Sequence, residues 1–210
     1  MGELLIVLLI LVLIALAVGA VVLGRRNRKQ REQRAAAKTA KPQDPFGSGD
    51  VDSLRGDPRA LRAGAIVEVR GVNYAVRGSL RLTEDGWSWA EHFLDDAKGR
   101  RVWLSVEEDP ELELVLFTAA ADAEVTPGKS VEFEGRTYRR TESGTARFTA
   151  EGTTGLDSSG TLHYQDYVAD DDARLSLEAY GTGDKWEVSS GEVLSRYEVR
   201  IFPAGGEADD

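Results

Sequence analysis

From Leu4 to Leu23 the chain runs 20 residues without a charge, nearly all of them Leu, Ile, Val or Ala. At ~1.5 Å rise per residue this makes about 30 Å of helix, the thickness of a hydrocarbon core. Met1, Gly2 and Glu3 supply no basic n-region, so the pattern predicts a retained N-terminal transmembrane helix over residues 1–24 rather than a cleaved leader. Beyond residue 60 no stretch keeps a 3.6-residue period, and the apolar positions alternate instead. Ile66 to Val69 and Tyr74 to Val76 flank a turn containing Gly71, and Arg81 to Thr83 and Trp87 to Leu94 flank Glu84, Asp85 and Gly86. Such glycines permit the positive φ of tight hairpins. In the following strand Val102, Leu104 and Val106 share one face, with Trp103 and Ser105 on the other.

The β-rich body nearly repeats itself. Gly64, Val67, Glu68, Val69, Gly71 and Tyr74 lie over Gly128, Val131, Glu132, Phe133, Gly135 and Tyr138 at an offset of 64. Trp89, Glu91, Phe93, Asp95 and Asp96 lie over Tyr164, Asp166, Val168, Asp170 and Asp171 at 75, and Leu104 to Glu107 over Leu175 to Glu178 at 71. Insertions between strands account for the changing offset; the second copy carries eleven extra residues around the Gly/Ser/Thr-rich stretch 150–160. The expected fold is mainly β: one transmembrane helix, then two duplicated five-stranded antiparallel meanders, curled into SH3-like halves and packed about a pseudo-two-fold axis. The expected division is anchor 1–24, basic juxtamembrane segment and disordered linker 25–60, first half 61–122, second half 123–204 and acidic tail 205–210.

The run from Gly64 to Gly78, then Trp89-Ala-Glu-His-Phe-Leu94, Trp103-Leu-Ser-Val-Glu107, Trp186-Glu-Val-Ser and Tyr197-Glu-Val, resembles the bacterial domain-of-unknown-function family numbered 4178, over about residues 60 to 203. The resemblance implies a β-rich domain, often in membrane-linked actinobacterial proteins. It brings no activity, cofactor or catalytic residue to transfer. His92 departs from the family pattern, which favours an aromatic there, and His163 has no counterpart in it.

Charge divides the 210 residues sharply. Eight Lys or Arg against Glu3 and Glu32 give residues 1–43 a balance of +6, which leaves −16 of the total −10 for residues 44–210. Arg25, Arg26, Arg28, Lys29, Arg31 and Arg34 follow the apolar stretch directly. They predict an N-terminus outside, a cytoplasmic body, and contact with anionic headgroups. The acidic body repels phosphate backbones, so no nucleic-acid partner is expected. There is no cysteine, no phosphate loop, no nucleophile elbow and no dinucleotide fingerprint. Two histidines, His92 and His163, occupy different places in the repeat and read as partly exposed strand residues; no metal site, cofactor or catalytic residue is expected.

Carboxylates at equivalent points of both copies stand out: Glu91 with Asp166, and Glu107 with Glu178. They read as a general-acid set or, more plainly, as partners of Arg77, Arg81 or Arg101. Trp87 and Trp89 share a strand face that reads first as core and, if exposed, as a protein-binding hot spot. Together Trp87, Trp89, Glu91, Trp103, Glu107, Asp166 and Glu178 mark a candidate surface by which a membrane-tethered, non-enzymatic interaction module contacts a membrane-associated protein. The alternative is a domain that binds a small, polyamine-like cation or serves an enzyme as accessory, motivated by the charge alone.

Overall fold

The structure, a computed structural model, describes residues 51–99, 101–182 and 185–204. Eleven strands follow a short helix α1 (Val51–Arg55) and a 3-10 turn (Pro58–Ala60): β1 (Ile66–Val69), β2 (Val72–Glu84), β3 (Trp87–Asp95), β4 (Val102–Glu108), β5 (Leu112–Ala119), β6 (Ser130–Phe133), β7 (Arg136–Gly152), β8 (Ser159–Ala169), β9 (Arg174–Tyr180), β10 (Glu187–Val193) and β11 (Val199–Phe202). All pairings are antiparallel, in the order β11-β1-β2-β3-β4-β5-β10-β9-β8-β7-β6, and β2 also pairs β7. That last pairing, Gly78↔Gly152 through Thr83↔Arg147, joins β2, β3, β4, β5, β10, β9, β8 and β7 into a closed eight-stranded barrel.

The two copies repeat their turns and bulges. Arg70 and Gly71 turn β1 into β2 with φ of 49° and 80°, and Glu134 and Gly135 turn β6 into β7 with 48° and 77°. Positive φ at both central residues matches the right-handed twist of a two-residue hairpin. Each copy carries a bulge 64 residues apart, at Arg77 in β2 and Thr141 in β7. A bulge bends its strand. The first part of each long strand therefore leaves the ring to pair with β1 or β6, while the second part closes the barrel.

Side-chain alternation fills three cores. Val102, Leu104 and Val106 point outward, under a cover that includes Leu61, Val67, Val69, Val199 and Ile201. In the second copy Leu175, Leu177, Tyr138 and Tyr167 pack with Val131 and Val188. Inside the ring, Leu80, Leu82, Ala146, Phe148, Leu162 and Tyr164 form a third cluster along the β2–β7 seam. Close packing there requires small residues: a Cβ on Gly160 would stand 2.7 Å from the Phe148 ring, and one on Gly191 2.5 Å from that of Phe117.

Two expectations are corrected. The repeat does not build two packed SH3-like halves, because strands of different copies hydrogen-bond at both junctions, β2 with β7 and β5 with β10, and merge into one barrel. Nor is an N-terminal transmembrane helix seen: among the described residues no helix is long and apolar enough to cross a membrane. Residues 1–50, which hold that stretch and the cluster Arg25 to Arg34, lie outside the described residues, as does the tail 205–210. The segment 51–60, read as linker, is ordered by charge contacts distant in sequence. Arg59 grips Glu108 of β4 at 2.7 and 2.9 Å, and Arg196 holds Asp52 at 2.9 Å and the Gly56 carbonyl.

A Cβ at position 78 would fall 2.7 Å from the Thr153 carbonyl carbon and oxygen. Gly78→Ala is expected to lower unfolding free energy by about 2 kcal/mol, as overpacking against backbone does, visible as a reduced urea midpoint.

Candidate acidic lumen

Eight-stranded barrels have an interior just wide enough to be filled by side chains or to hold one small ligand. This one keeps space. A cavity of about 350 Å³ lies inside the ring, lined among others by Trp89, Glu91, Glu107, Glu142, Asp166 and Glu178. A second, of about 280 Å³, is lined by Trp103, Tyr180, Glu187 and the loop Thr154–Leu156. Glu91, Phe117, Ser176 and Glu178 border both, so they form a waist between two chambers of one lumen.

The first chamber has eight carboxylates in its wall against one guanidinium, Arg174, and that cation is already bound to Glu113 at 3.2 Å and to the Asp172 carbonyl at 2.9 Å. Register explains the grouping. Trp89 and Glu91 on β3, Ser105 and Glu107 on β4, Ser176 and Glu178 on β9, and Tyr164 and Asp166 on β8 all occupy the inward-facing alternate positions of their strands. The repeat relates Glu91 to Asp166, Glu107 to Glu178, Trp89 to Tyr164 and Ser105 to Ser176. The acids act on one another across the copies: Glu178 is influenced by the charges of Glu91 and Asp166, Glu91 by that of Asp166, and Asp166 by those of Glu142 and Glu107. Trp89 and Tyr164 meet edge to face across the seam, with centroids 5.6 Å apart.

These acids are held by neutral donors. The Trp89 Nε1–H reaches Glu91 at 3.2 Å, the Tyr180 hydroxyl donates to Glu178 at 2.8 Å, and the Tyr164 hydroxyl donates to Glu84 at 2.5 Å with Glu142 3.2 Å away. Burial pushes the Glu91 carboxyl up to about 7 and that of Asp166 up to about 6. Glu178 is raised by burial and by the Glu91 charge, and Glu107 by burial and by the Glu142 charge. A carboxylate removed from water and set beside another ionises with difficulty. At neutral pH the lumen is thus only partly ionised.

The sequence motifs and the fold meet in one comparison: the family described as a Domain of unknown function (DUF4178) matches residues 62–196. The chain belongs to this family. Relatives similar to this DUF4178 chain include "Uncharacterized protein Mb2628" of Mycobacterium bovis and "Uncharacterized protein Rv2597" of Mycobacterium tuberculosis. Each is 37% identical over 153 residues, covering 70% of this chain and 74% of the relative. No solved structure matches it.

Within the DUF4178 barrel the residues marked from the sequence come together, but on its inner wall rather than on an outward face. Trp89, Glu91, Glu107, Asp166 and Glu178 line the first chamber, Trp103 lines the second, stacked 5.2 Å from Phe93, and Trp87, 56% exposed, stands at the first chamber's rim. None of the arginines expected to neutralise these four acids pairs with them. Arg77 pairs with Asp95 at 3.2 Å and Arg81 binds the Leu61 carbonyl, while Arg101 lines the second chamber, paired with Glu187 at 3.0 Å. Sequence reasoning missed Glu84 and Glu142 as wall residues, and Tyr164 and Ser176 as donors; the alignments of Tyr164 with Trp89 and of Ser176 with Ser105 were the available signal. His92 is a further correction. It is fully buried on the opposite face of β3, with Nδ1 2.8 Å from the Ser79 hydroxyl, and its Nε2 has no hydrogen-bond partner among the described residues. His163 lies on β8 with its Nδ1 3.0 Å from the Thr145 hydroxyl.

Because the Glu91 carboxyl is raised from 4.5 to about 7 in the fold, the folded state binds the proton more tightly than the unfolded chain. The cost of ionising it is absent below pH 4.5, grows from there to pH 7 and is complete above. Glu91→Gln is therefore expected to stabilise the protein at pH 8 by about 1–2 kcal/mol, allowing for the part of the carboxylate that water still reaches, and by almost nothing at pH 4.5. Thermal unfolding at the two pH values measures the difference. Burial also pushes the His92 imidazole down to about 3. In a carbon-detected NMR titration its ring is expected to stay neutral at pH 5.

Proposed function

We propose that the barrel binds an elongated organic dication in its lumen, one ammonium at Glu91 and Glu178 and the other at Glu107 and Asp166. The observation that carries the reading is the set of repeat-related acids, Glu91, Glu107, Asp166 and Glu178, in a first chamber whose single lining guanidinium is already engaged. Among the described residues no group of three or more His, Asp or Glu side chains is gathered closely enough to hold a metal ion. The negative charge is spread along a passage, which suits a ligand that is itself extended and multiply charged. Trp89, Tyr164 and Phe117 offer the apolar and π surface that methylene segments and ammonium groups prefer.

The reading is binding without turnover. Both histidines sit on the face of their strands opposite the lumen, so the serines of the wall, Ser105 and Ser176, have no imidazole beside them. Of the aromatic and acidic set marked for docking, Trp87 is exposed, while Trp89, Glu91, Glu107, Asp166 and Glu178 line the first chamber and Trp103 the second.

Calorimetric titration of the full chain with 1,4-diaminobutane and with 1-aminobutane, at physiological salt, tests the proposal. The diamine is expected to bind saturably with one site and roughly tenfold or more tighter than the monoamine, the scale of one extra charge-assisted contact. Affinity should rise between pH 5.5 and 8, as the Asp166 and Glu91 carboxyls, held near 6 and 7, give up their protons. Glu107→Gln should remove most of the diamine's advantage. Equal affinities for the two amines, or heat that vanishes with salt, would leave only diffuse attraction and refute the site.

A further inference from the structure

Strand order ends at β6 on one side and at β11 on the other. The repeat makes these two ends unequal. β6 is the counterpart of β1, 64 residues on, yet β1 is covered by a further strand and no described strand pairs with the outer edge of β6. On β1 the covering strand is β11, antiparallel, in the register Ile66↔Phe202 to Val69↔Val199. Its Val199 and Ile201 are buried in the first core, its Arg200 lies 3.8 Å from Glu68, and the Arg70 amide donates to the Glu198 carbonyl at 2.9 Å. The Arg70 guanidinium also holds the Glu198 carboxylate at 2.6 Å.

The β6 edge repeats this receptor with one reversal. Val131 and Phe133 replace Val67 and Val69, and Glu132 replaces Glu68. Glu134 stands where Arg70 does, in the same left-handed turn conformation, φ 48° against 49°. Val69 under β11 is 3% exposed, whereas Phe133 is only half-buried. An unpaired strand edge with a partly covered apolar row takes up an extended segment by main-chain hydrogen bonding, with alternate side chains setting specificity.

We propose that the free edge of β6 docks an extended segment of a partner protein with the alternation basic–apolar–basic–apolar, added as an antiparallel strand where β11 lies on β1. The second basic residue meets Glu132, as Arg200 meets Glu68. The first meets Glu134, because the charge at that turn is opposite to that of Arg70, and β11 itself carries Glu198 there. Charge complementarity thus commits the occupant and excludes the chain's own β11 sequence as the preferred one.

Two synthetic peptides test it: one with the sequence of residues 196–203, and the same peptide with the substitution Glu198→Lys. Binding to the full chain is read by fluorescence anisotropy, and its location by hydrogen exchange of the amides at 130–134. The Lys peptide is expected to bind at least tenfold tighter than the unmodified one and to slow exchange in that segment. Glu134→Arg, which restores the side chain that the equivalent turn already accommodates, should invert the preference between the peptides. Equal binding of the two, protection confined to other strands, or light scattering that shows the edge closed by a second copy of this chain would overturn the proposal.

Discussion

The six register pairs between β2 and β7, from Gly78↔Gly152 to Thr83↔Arg147, are the constraint on which the rest of the molecule depends. They convert two meanders into a ring, and by doing so decide which face of eight strands is inside. Leu80, Leu82, Ala146 and Phe148 are buried only because the seam is shut. Full burial of each large apolar side chain contributes about 1.5–3 kcal/mol, so closure is favoured by the residues it encloses. The bulges at Arg77 and Thr141 are equally necessary, since they let one strand serve the ring with one half and an outer layer with the other.

Once the ring is shut, charge is sorted by side. Arg70, Arg77, Arg101, Arg136 and Arg139 meet their carboxylates at exposed or rim positions, where such pairs contribute about 0–1 kcal/mol. On the inner wall Glu84, Glu91 and Glu178 have indole or phenol donors instead. A neutral donor satisfies a lone pair without cancelling charge, so the lumen keeps an electrostatic deficit that packing elsewhere offsets. Stability given up at one place and affinity gained there have the same origin.

The alternation of Val102, Leu104 and Val106 against Trp103 and Ser105, and the hairpin at Gly71, are legible in the sequence because they are local: period two and a positive-φ turn suffice. Closure is not, since the β2–β7 and β5–β10 pairings join residues of different copies and leave no short-range pattern. The same blindness affected the site. Glu91, Glu107, Asp166 and Glu178 were found through the repeat, but a strand covered on both faces carries aromatic and acidic residues on its inner side just as an exposed strand would on its outer one. Glu142 breaks the repeat, standing opposite Gly78 at the offset of 64, and duplication therefore could not reveal it. His92 and the segment 51–60 were misread for a related reason. Contacts from Arg59 and Arg196, 49 and 144 residues away in sequence from their acidic partners, supply order that composition does not show.

The matched hairpins and bulges also speak to ancestry. The lumen acids come from both copies, Glu91 and Glu107 from the first and Asp166 and Glu178 from the second, so a polypeptide with a single repeat has neither the full set nor an enclosed interior. It would have to assemble as a homodimer to possess them. The copies differ at the chambers: the eleven-residue insertion beside β8 brings Thr154 and Leu156 to the wall of the second, while the exposed Trp87 stands at the first. A lumen built from two like halves has thereby acquired two unlike ends.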